Sequence, residues 1–449
     1  MSQSTVNQYI RLFSQALTVL NAGVDMAVAE RLSLLVHRSM EQPRRVYHNS
    51  EHVFKLIEGL NPHQTLAGLF HDVVYVQLDD GFAPWTADWL VPVVAVENGQ
   101  YAIQPEVRLD PSLQLCLDVF GFRPGQQLSP FAGLNEFLSA IVAVRALHEY
   151  LPLKSLLAIV TCIEATFPFR AVDSDGVTLP SKLHHKVLAA ASRLGLGLSE
   201  GEVATIVGDA IVLANRDVAG FGFEDPGQFL SDTWMLIDES NAPLARAGVY
   251  TIGDYRQALQ RMLGFLKSLD SRSIFNPEAE HDPLFAVRRA AAKRNLEFSV
   301  RYLGSKLLSI SILEELAKLT GGDAPISMFL GDIRSSHSVK IQDFLRLEPD
   351  VQRDMDPFML DILENGRPQP SRNDTAASPI TAYLYRWLGE SGMVQAAEAT
   401  QRLMANQITS AEFLRSLPAP PLRELIAGCA SISLSRSEPL HRLAAELLT

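Results

Sequence analysis

The sequence predicts an all-α fold in two helical parts, and three observations carry that expectation. Apolar residues recur at three- and four-residue spacing in segment after segment, as with Tyr9, Ile10, Phe13, Ala16, Leu17 and Leu20. Helix starts are marked by capping pairs, among them Ser199 with Glu202 and Thr409 with Glu412. At 449 residues the chain is too long for one ordinary domain. A first domain over 1–275 and a smaller helical domain over 283–449 are expected.

Taken in order, the first helix covers about residues 6–20, and a second stripe runs through Val28, Leu32, Leu35 and Val36. Two further helices fall within 46–71; the second starts at Asn61, which can cap, with Pro62 where a missing N–H is harmless. Between 76 and 130 the chain is broken by Pro84, Pro92, Pro105, Pro111 and Pro124, and reads as loops and short helices. Helical patterns resume over 130–148, 152–165 and 180–194. Ser199 then opens another helix, followed by helices over 226–237 and 254–269.

The polar stretch 271–283 reads as the domain boundary, and its His281-Asp282 as a helix start. Beyond it, Arg288, Arg289, Lys293 and Arg294 form a solvated basic face. An apolar helix over 307–319 ends at Gly321-Gly322, and 365–379 is linker-like in composition. The short paired helices that close the chain leave open a helical adaptor, with a protein partner or a second copy as its occupant.

Composition narrows the function classes. With 47% hydrophobic and 20% charged residues the chain has ample material for a core and is unlike a disordered one. A net charge of -12 argues against bulk nucleic acid, which needs a basic surface. It leaves room for one phosphate held locally. Cys116, Cys162 and Cys429 are widely spaced and form no C-x-x-C, which suits a reducing compartment and gives neither a disulfide framework nor a zinc ribbon. The first residues lack a basic region followed by an apolar core, and the apolar run 89–96 is short and interrupted by Pro92. A soluble, cytoplasmic protein without a membrane partner is expected. No G-x-x-x-x-G-K-[ST], G-x-S-x-G or H-E-x-x-H is present.

Chemistry concentrates in 46–75, V-Y-H-N-S-E-H-V-F-K-L-I-E-G-L-N-P-H-Q-T-L-A-G-L-F-H-D-V-V-Y. His48 and His52 are four apart, so on a helix they share a face. A second helix, with Leu66, Ala67, Leu69 and Phe70 facing a core, ends in His71-Asp72. Burying an imidazole and a carboxylate without partners costs several kcal/mol. A divalent metal is one fitting partner, since neutral imidazole and carboxylate suit zinc, manganese and iron. A hydrogen-bonded pair at a helix end, with His48 and His52 on the surface, is the plainer alternative.

This stretch resembles the HD superfamily of metal-dependent phosphohydrolases. Y-H-N-S-E-H-V is similar to the Y-H-N-x-x-H-A signature of class I cyclic-nucleotide phosphodiesterases, and H-D-V-V-Y to a string in smaller bacterial HD phosphohydrolases. The resemblance covers about thirty residues directly. It implies an HD-like helical bundle, His48 as proton donor, and His52, His71 and Asp72 as ligands of one or two divalent ions (Zn, Mn, Fe or Mg). A distant aspartate completes that set in the family. Here Ile206, Ala210, Leu213 and Asp217 follow helical spacing, and L-A-N-R-D-V-A-G-F resembles the family's final aspartate region, so Asp217 is the fourth candidate. Pairing with Arg216 or a capping role is its alternative. Asp209 falls on the flank of that stripe and is expected to be solvated.

His148, His184 and His185 are further candidates for a second metal, and Glu164 and Thr166 for groups behind the ligands or for a helix cap. The expected activity is hydrolysis of a small phosphorylated substrate, with a nucleotide as one option, by metal-activated water with His48 as general acid. A nucleotide or a phosphodiester is the expected substrate, with phosphomonoesterase and phosphodiesterase activity not resolved. The chain departs from the phosphodiesterases in lacking their later histidine and glutamate motifs and a base-selecting glutamine. It departs from the small bacterial enzymes in carrying Thr166-Phe167-Pro168 where they have Thr-x-His. The rival expectation is a non-catalytic HD-fold module that binds a metal or ligand and serves regulation or protein contacts.

Overall fold

The computed structural model describes residues 4–170, 178–245, 249–277, 283–332, 337–346 and 354–447. His281-Asp282 lies outside the described residues. Among those described, the fold is all-α apart from three short strands, and it divides into two compact units: 1–222 with 269–292, and 223–268 with 293–449. No described helix is long and apolar enough to cross a membrane.

In the first unit α1 (Thr5–Val19) is capped by Ser4 and buries Tyr9, Phe13, Ala16 and Leu17, as its stripe requires. The Asp25 carboxylate accepts the Val28 N–H at 2.9 Å and starts α2 (Met26–Met40), which buries Leu32 and Val36. α3 (Ser50–Ile57) and α4 (Pro62–Phe70) follow. α4 begins in a full capping box between Asn61 and Gln64, and every residue from Gln64 to Phe70 is buried. At Gly68 a side chain has no room, because a Cβ would overlap Ile57 Cγ2 of α3. Glycine thus sets how closely the two helices approach.

The proline-rich stretch holds α5 (Val76–Asp79), α6 (Pro84–Leu90) and α7 (Pro111–Phe120). It also holds a three-stranded antiparallel sheet, β1 (Val94–Glu97), β2 (Gln100–Ile103) and β3 (Gln127–Leu128), where only loops and short helices were expected. The hairpin signal is V-A-V-E-N-G-Q-Y-A-I: Asn98 and Gly99, both at positive φ, make the two-residue turn that right-twisted strands need. α8 (Leu134–Leu147) and α9 (Leu153–Ala165) are buried along nearly their whole length and pack with α4 and α11 (Glu200–Asp217) at the centre. α10 (Leu179–Arg193) covers α7, α9 and α11.

The second unit begins earlier than the sequence suggested. α12 (Pro226–Ser240) and α13 (Ile252–Ser268) belong to it, because their polar groups find partners far down the chain. Trp234 Nε1 donates to Asp374 Oδ2 at 3.0 Å, and Arg256 bridges to Glu314 at 2.8 Å on α14 (Pro283–Gly321). The division falls within α14, between Ala292 and Lys293. The basic face expected there is partly engaged: Arg294 donates to the carbonyls of Phe223 and Glu224.

α15 (Ser327–Leu330), α16 (Pro357–Asn365), α17 (Pro379–Met404, broken at Gly389), α18 (Ser410–Arg415), α19 (Ala419–Ile432) and α20 (Ser437–Leu447) complete the unit. The stretch 365–379, linker-like in composition, is built into this unit. Arg367 is buried with its guanidinium 3.9 Å from the centre of the Trp234 ring, and Asp374 pairs with Lys306 at 3.0 Å. Asn373 donates to Asp238 at 2.9 Å. Its polar residues are there to satisfy buried partners, not to meet solvent.

Candidate metal centre

Each of the four proposed ligands is placed by a specific local device. Asn49 caps α3: its Oδ1 accepts the N–H groups of Glu51 and His52, and its Nδ2 donates to Val46 O at 2.6 Å. That fixes His52 in the first turn. His71 ends α4, where its Nδ1 lies 2.8 Å from Gly68 O. A carbonyl only accepts, so Nδ1 carries the hydrogen and Nε2 faces the site.

Asp72 is held through its backbone by Arg45. The guanidinium, fully buried, donates to Asp72 O at 2.6 Å and grips Asp79 at 3.1 and 2.7 Å. Asp217 is the last residue of α11. That helix is tied to the start of α4, because Asp209 Oδ2 accepts from Asn61 Nδ2 and Asp209 O from Gln64 Nε2, each at 2.8 Å. Asp209 is therefore half-buried and bonded, not solvated as its flank position suggested.

These devices bring the four side chains together. His52 Nε2 lies 3.0 Å from Asp217 Oδ1 and 4.0 Å from Asp72 Oδ2. His71 Nε2 lies 2.9 Å from Asp72 Oδ2 and 3.3 Å from Asp217 Oδ1. Ligand atoms of His52, His71 and Asp72 all fall within 4.8 Å of one another, a set able to hold a metal ion, and Asp217 touches both histidines. His71 is 2% exposed, yet its Nε2 makes no hydrogen bond in spite of the two nearby carboxylate oxygens. A buried nitrogen close to two oxygens but aimed at neither is what a common ion between them would leave, so the donor set fits the group.

Electrostatics agree. Burial works against ionised Asp72, but His71, His48 and His52 outweigh it and hold the carboxyl well below its ordinary range. Burial likewise opposes ionised Asp217, and the neighbouring imidazoles of His52 and His71 bring it down to about 2. Burial would lower His71, while Asp72 and Asp217 raise it well above an ordinary imidazole.

His48 stands beside this set rather than in it. Its ring centre is 5.8 Å from that of His52 and 5.0 Å from that of Tyr75. The other sequence candidates are placed elsewhere or otherwise engaged. Glu164 is bound at 2.9 Å by both Arg170 and Lys186, and Thr166 donates to Ile163 O as a helix-end cap. His148 Nδ1 bonds Arg145 O; His184 and His185 line a groove with Thr178 and Ser181. None of these three histidines joins a metal-capable cluster among the described residues.

Two residues escaped sequence reasoning. Arg45 precedes the Y-H-N string, but its partner Asp79 is far enough along to leave no local signal. Glu136 is the lone acid in the apolar run L-N-E-F-L-S-A-I-V-A-V, and that was the available clue. Burial first, and then Asp72 and Asp217, push its carboxyl up to about 7, with Arg170 opposing. No family model matches the chain, and neither does any curated protein or solved structure.

Proposed function

We propose that this chain is a metal-dependent phosphohydrolase of the HD type, acting on a small phosphorylated substrate such as a nucleotide. The observation that carries the reading is the unbonded His71 Nε2, buried between Asp72 Oδ2 and Asp217 Oδ1 with His52 alongside. His52, His71, Asp72 and Asp217 would hold a divalent ion, Zn, Mn, Fe or Mg. When bound, such an ion would supply charge for a phosphoryl oxygen and acidify a water molecule.

The chain's own groups do the rest. Gly68 O fixes the ring of His71, and Arg45 fixes the backbone of Asp72, so neither ligand must be reorganised during turnover. His48, next to His52 and packed against Tyr75, would pass a proton to the departing oxygen. The acidic balance of the chain, net -12, favours a small ester over a nucleic-acid polymer.

Metal analysis of the purified protein, joined to a screen with bis-p-nitrophenyl phosphate and a nucleotide panel, tests this. The expected result is a bound divalent ion and hydrolysis that falls roughly 10²–10⁴-fold in His48→Ala with ion content unchanged. Protein that binds no divalent ion, or a His48→Ala enzyme as fast as the parent, overturns the corresponding assignment.

A further inference from the structure

The backbone just beyond Asp72 is pinned at three consecutive residues, Val74, Tyr75 and Val76. Ser139 Oγ, on α8, accepts the Val74 N–H at 3.1 Å. Asn135 Oδ1, near the start of the same helix, accepts the Val76 N–H at 3.1 Å. Between them the Tyr75 N–H donates to Asp79 Oδ2 at 3.1 Å, and Arg45 holds that same oxygen at 2.7 Å. Tyr75 O accepts the N–H groups of Leu78 and Asp79, each at 2.9 Å. A residue anchored this way presents its side chain in a fixed direction.

The half-buried ring of Tyr75 meets His48. The ring centres are 5.0 Å apart and the planes 66° from parallel, the edge-to-face arrangement that aromatic pairs favour. Tyr47 meets His48 in the same manner, at 5.0 Å and 77°, and His52 does so at 5.8 Å and 74°. His48 is thus bounded by three rings, each steeply inclined to its own. Tyr47 is the chain neighbour of His48 and also lies 5.2 Å from His52, so a change there reaches a ligand. Tyr75 comes from beyond α4, and only the fold sets it beside His48. It ends the H-D-V-V-Y string, but the resemblance gives it no task.

We propose that Tyr75 is a positioning residue for His48, its ring holding the imidazole in the orientation from which a proton is given up. The proposal rests on the phosphohydrolase reading above, and it assigns the work to the ring, not to the hydroxyl group. A group held about 1 Å out of place costs on the order of 10²-fold in rate. The loss expected here is about 10–100-fold, within what a general acid itself is worth.

The test compares the full-length parent with Tyr75→Phe, Tyr75→Ala, His48→Ala and the double variant His48→Ala/Tyr75→Ala. Hydrolysis of bis-p-nitrophenyl phosphate with Mn²⁺ is measured, together with Mn²⁺ affinity. The expected result is that Tyr75→Ala lowers kcat about 10–100-fold with KM and Mn²⁺ affinity unchanged, and that Tyr75→Phe restores most of the rate. Once His48 is gone, Tyr75→Ala should cost nothing further. A readout independent of turnover is the His48 ring signal in ion-free protein made with carbon-13-labelled histidine, identified by its loss in His48→Ala. It should be sharp in the parent and Tyr75→Phe and broadened in Tyr75→Ala. Tyr75→Ala as fast as the parent, Tyr75→Phe as slow as Tyr75→Ala, a Tyr75→Ala loss undiminished without His48, or an unbroadened signal overturns the proposal. Each of these leaves the hydrolase reading standing. A parent inactive on this ester and on the nucleotide panel removes both.

Discussion

The guanidinium of Arg45 and the carboxylate of Asp79 form a two-point grip, at 3.1 and 2.7 Å, with both side chains almost wholly withdrawn from water. The same guanidinium reaches Asp72 O, so the pair clamps the turn that presents Asp72. Breaking one side of such a buried pair leaves the other charge stranded, at about 3–5 kcal/mol. Arg45→Ala is expected to lose that much stability in urea titration. Arg45→Ala combined with Asp79→Ala is expected to lose less than the sum of the single changes.

Asp217 joins the two histidines from a helix about 150 residues downstream of theirs. If the four side chains hold an ion, saturating it at a hundred times its Kd adds about 2.7 kcal/mol to the folded state. Chelation should remove that increment from the parent. Asp217→Asn, with one anionic donor gone, should show little or none of it in calorimetric melts with and without added Zn²⁺ or Mn²⁺.

Asp110 caps α7, accepting the N–H groups of Ser112 and Leu113, and pairs with Arg145 at 2.6 Å. Burial alone would raise its carboxyl, but Ser112, Leu113 and Arg145 hold it down at about 2. The folded value is thus below that of the unfolded chain, roughly 3.9. Its contribution is present above that unfolded value and is lost as pH falls toward 2. Asp110→Ala should cost about 1 kcal/mol at pH 7, the usual worth of such a cap, with the gap to the parent narrowing between about pH 4 and pH 2.

Asp374 is shared by Trp234 Nε1 at 3.0 Å, Lys306 at 3.0 Å and Arg367 at 3.5 Å. Asp374→Ala should strand two buried cations and cost about 3–5 kcal/mol. Limited proteolysis gives an independent readout: the parent should resist cleavage over 365–379 in spite of its composition, and the variant should be cut there.

How much of this could be read from residues alone depends on how far apart the partners are. Helices with an apolar stripe and a local cap were legible, and Ser199 with Glu202, Thr409 with Glu412 and Asn61 with Gln64 all close as capping boxes. The hairpin at Asn98-Gly99 was overlooked because surrounding prolines and glycines masked a short alternating pattern. The stretch 365–379 was misjudged because composition reports polarity, not partners, and its partners include Trp234, Asp238 and Lys306. For the site, His52, His71 and Asp72 came from one short string and Asp217 from a stripe. Arg45, whose importance is spatial, gave no comparable signal.

The missing side chain at Gly68 has a consequence for the whole site. Its carbonyl anchors the His71 ring, and its bare Cα lets α4 lie against α3, the helix that bears His52. The approach of the two helices that carry these imidazoles therefore depends on a single hydrogen atom where any other residue would carry carbon. One methyl group there would act as a wedge between α4 and the Ile57 end of α3.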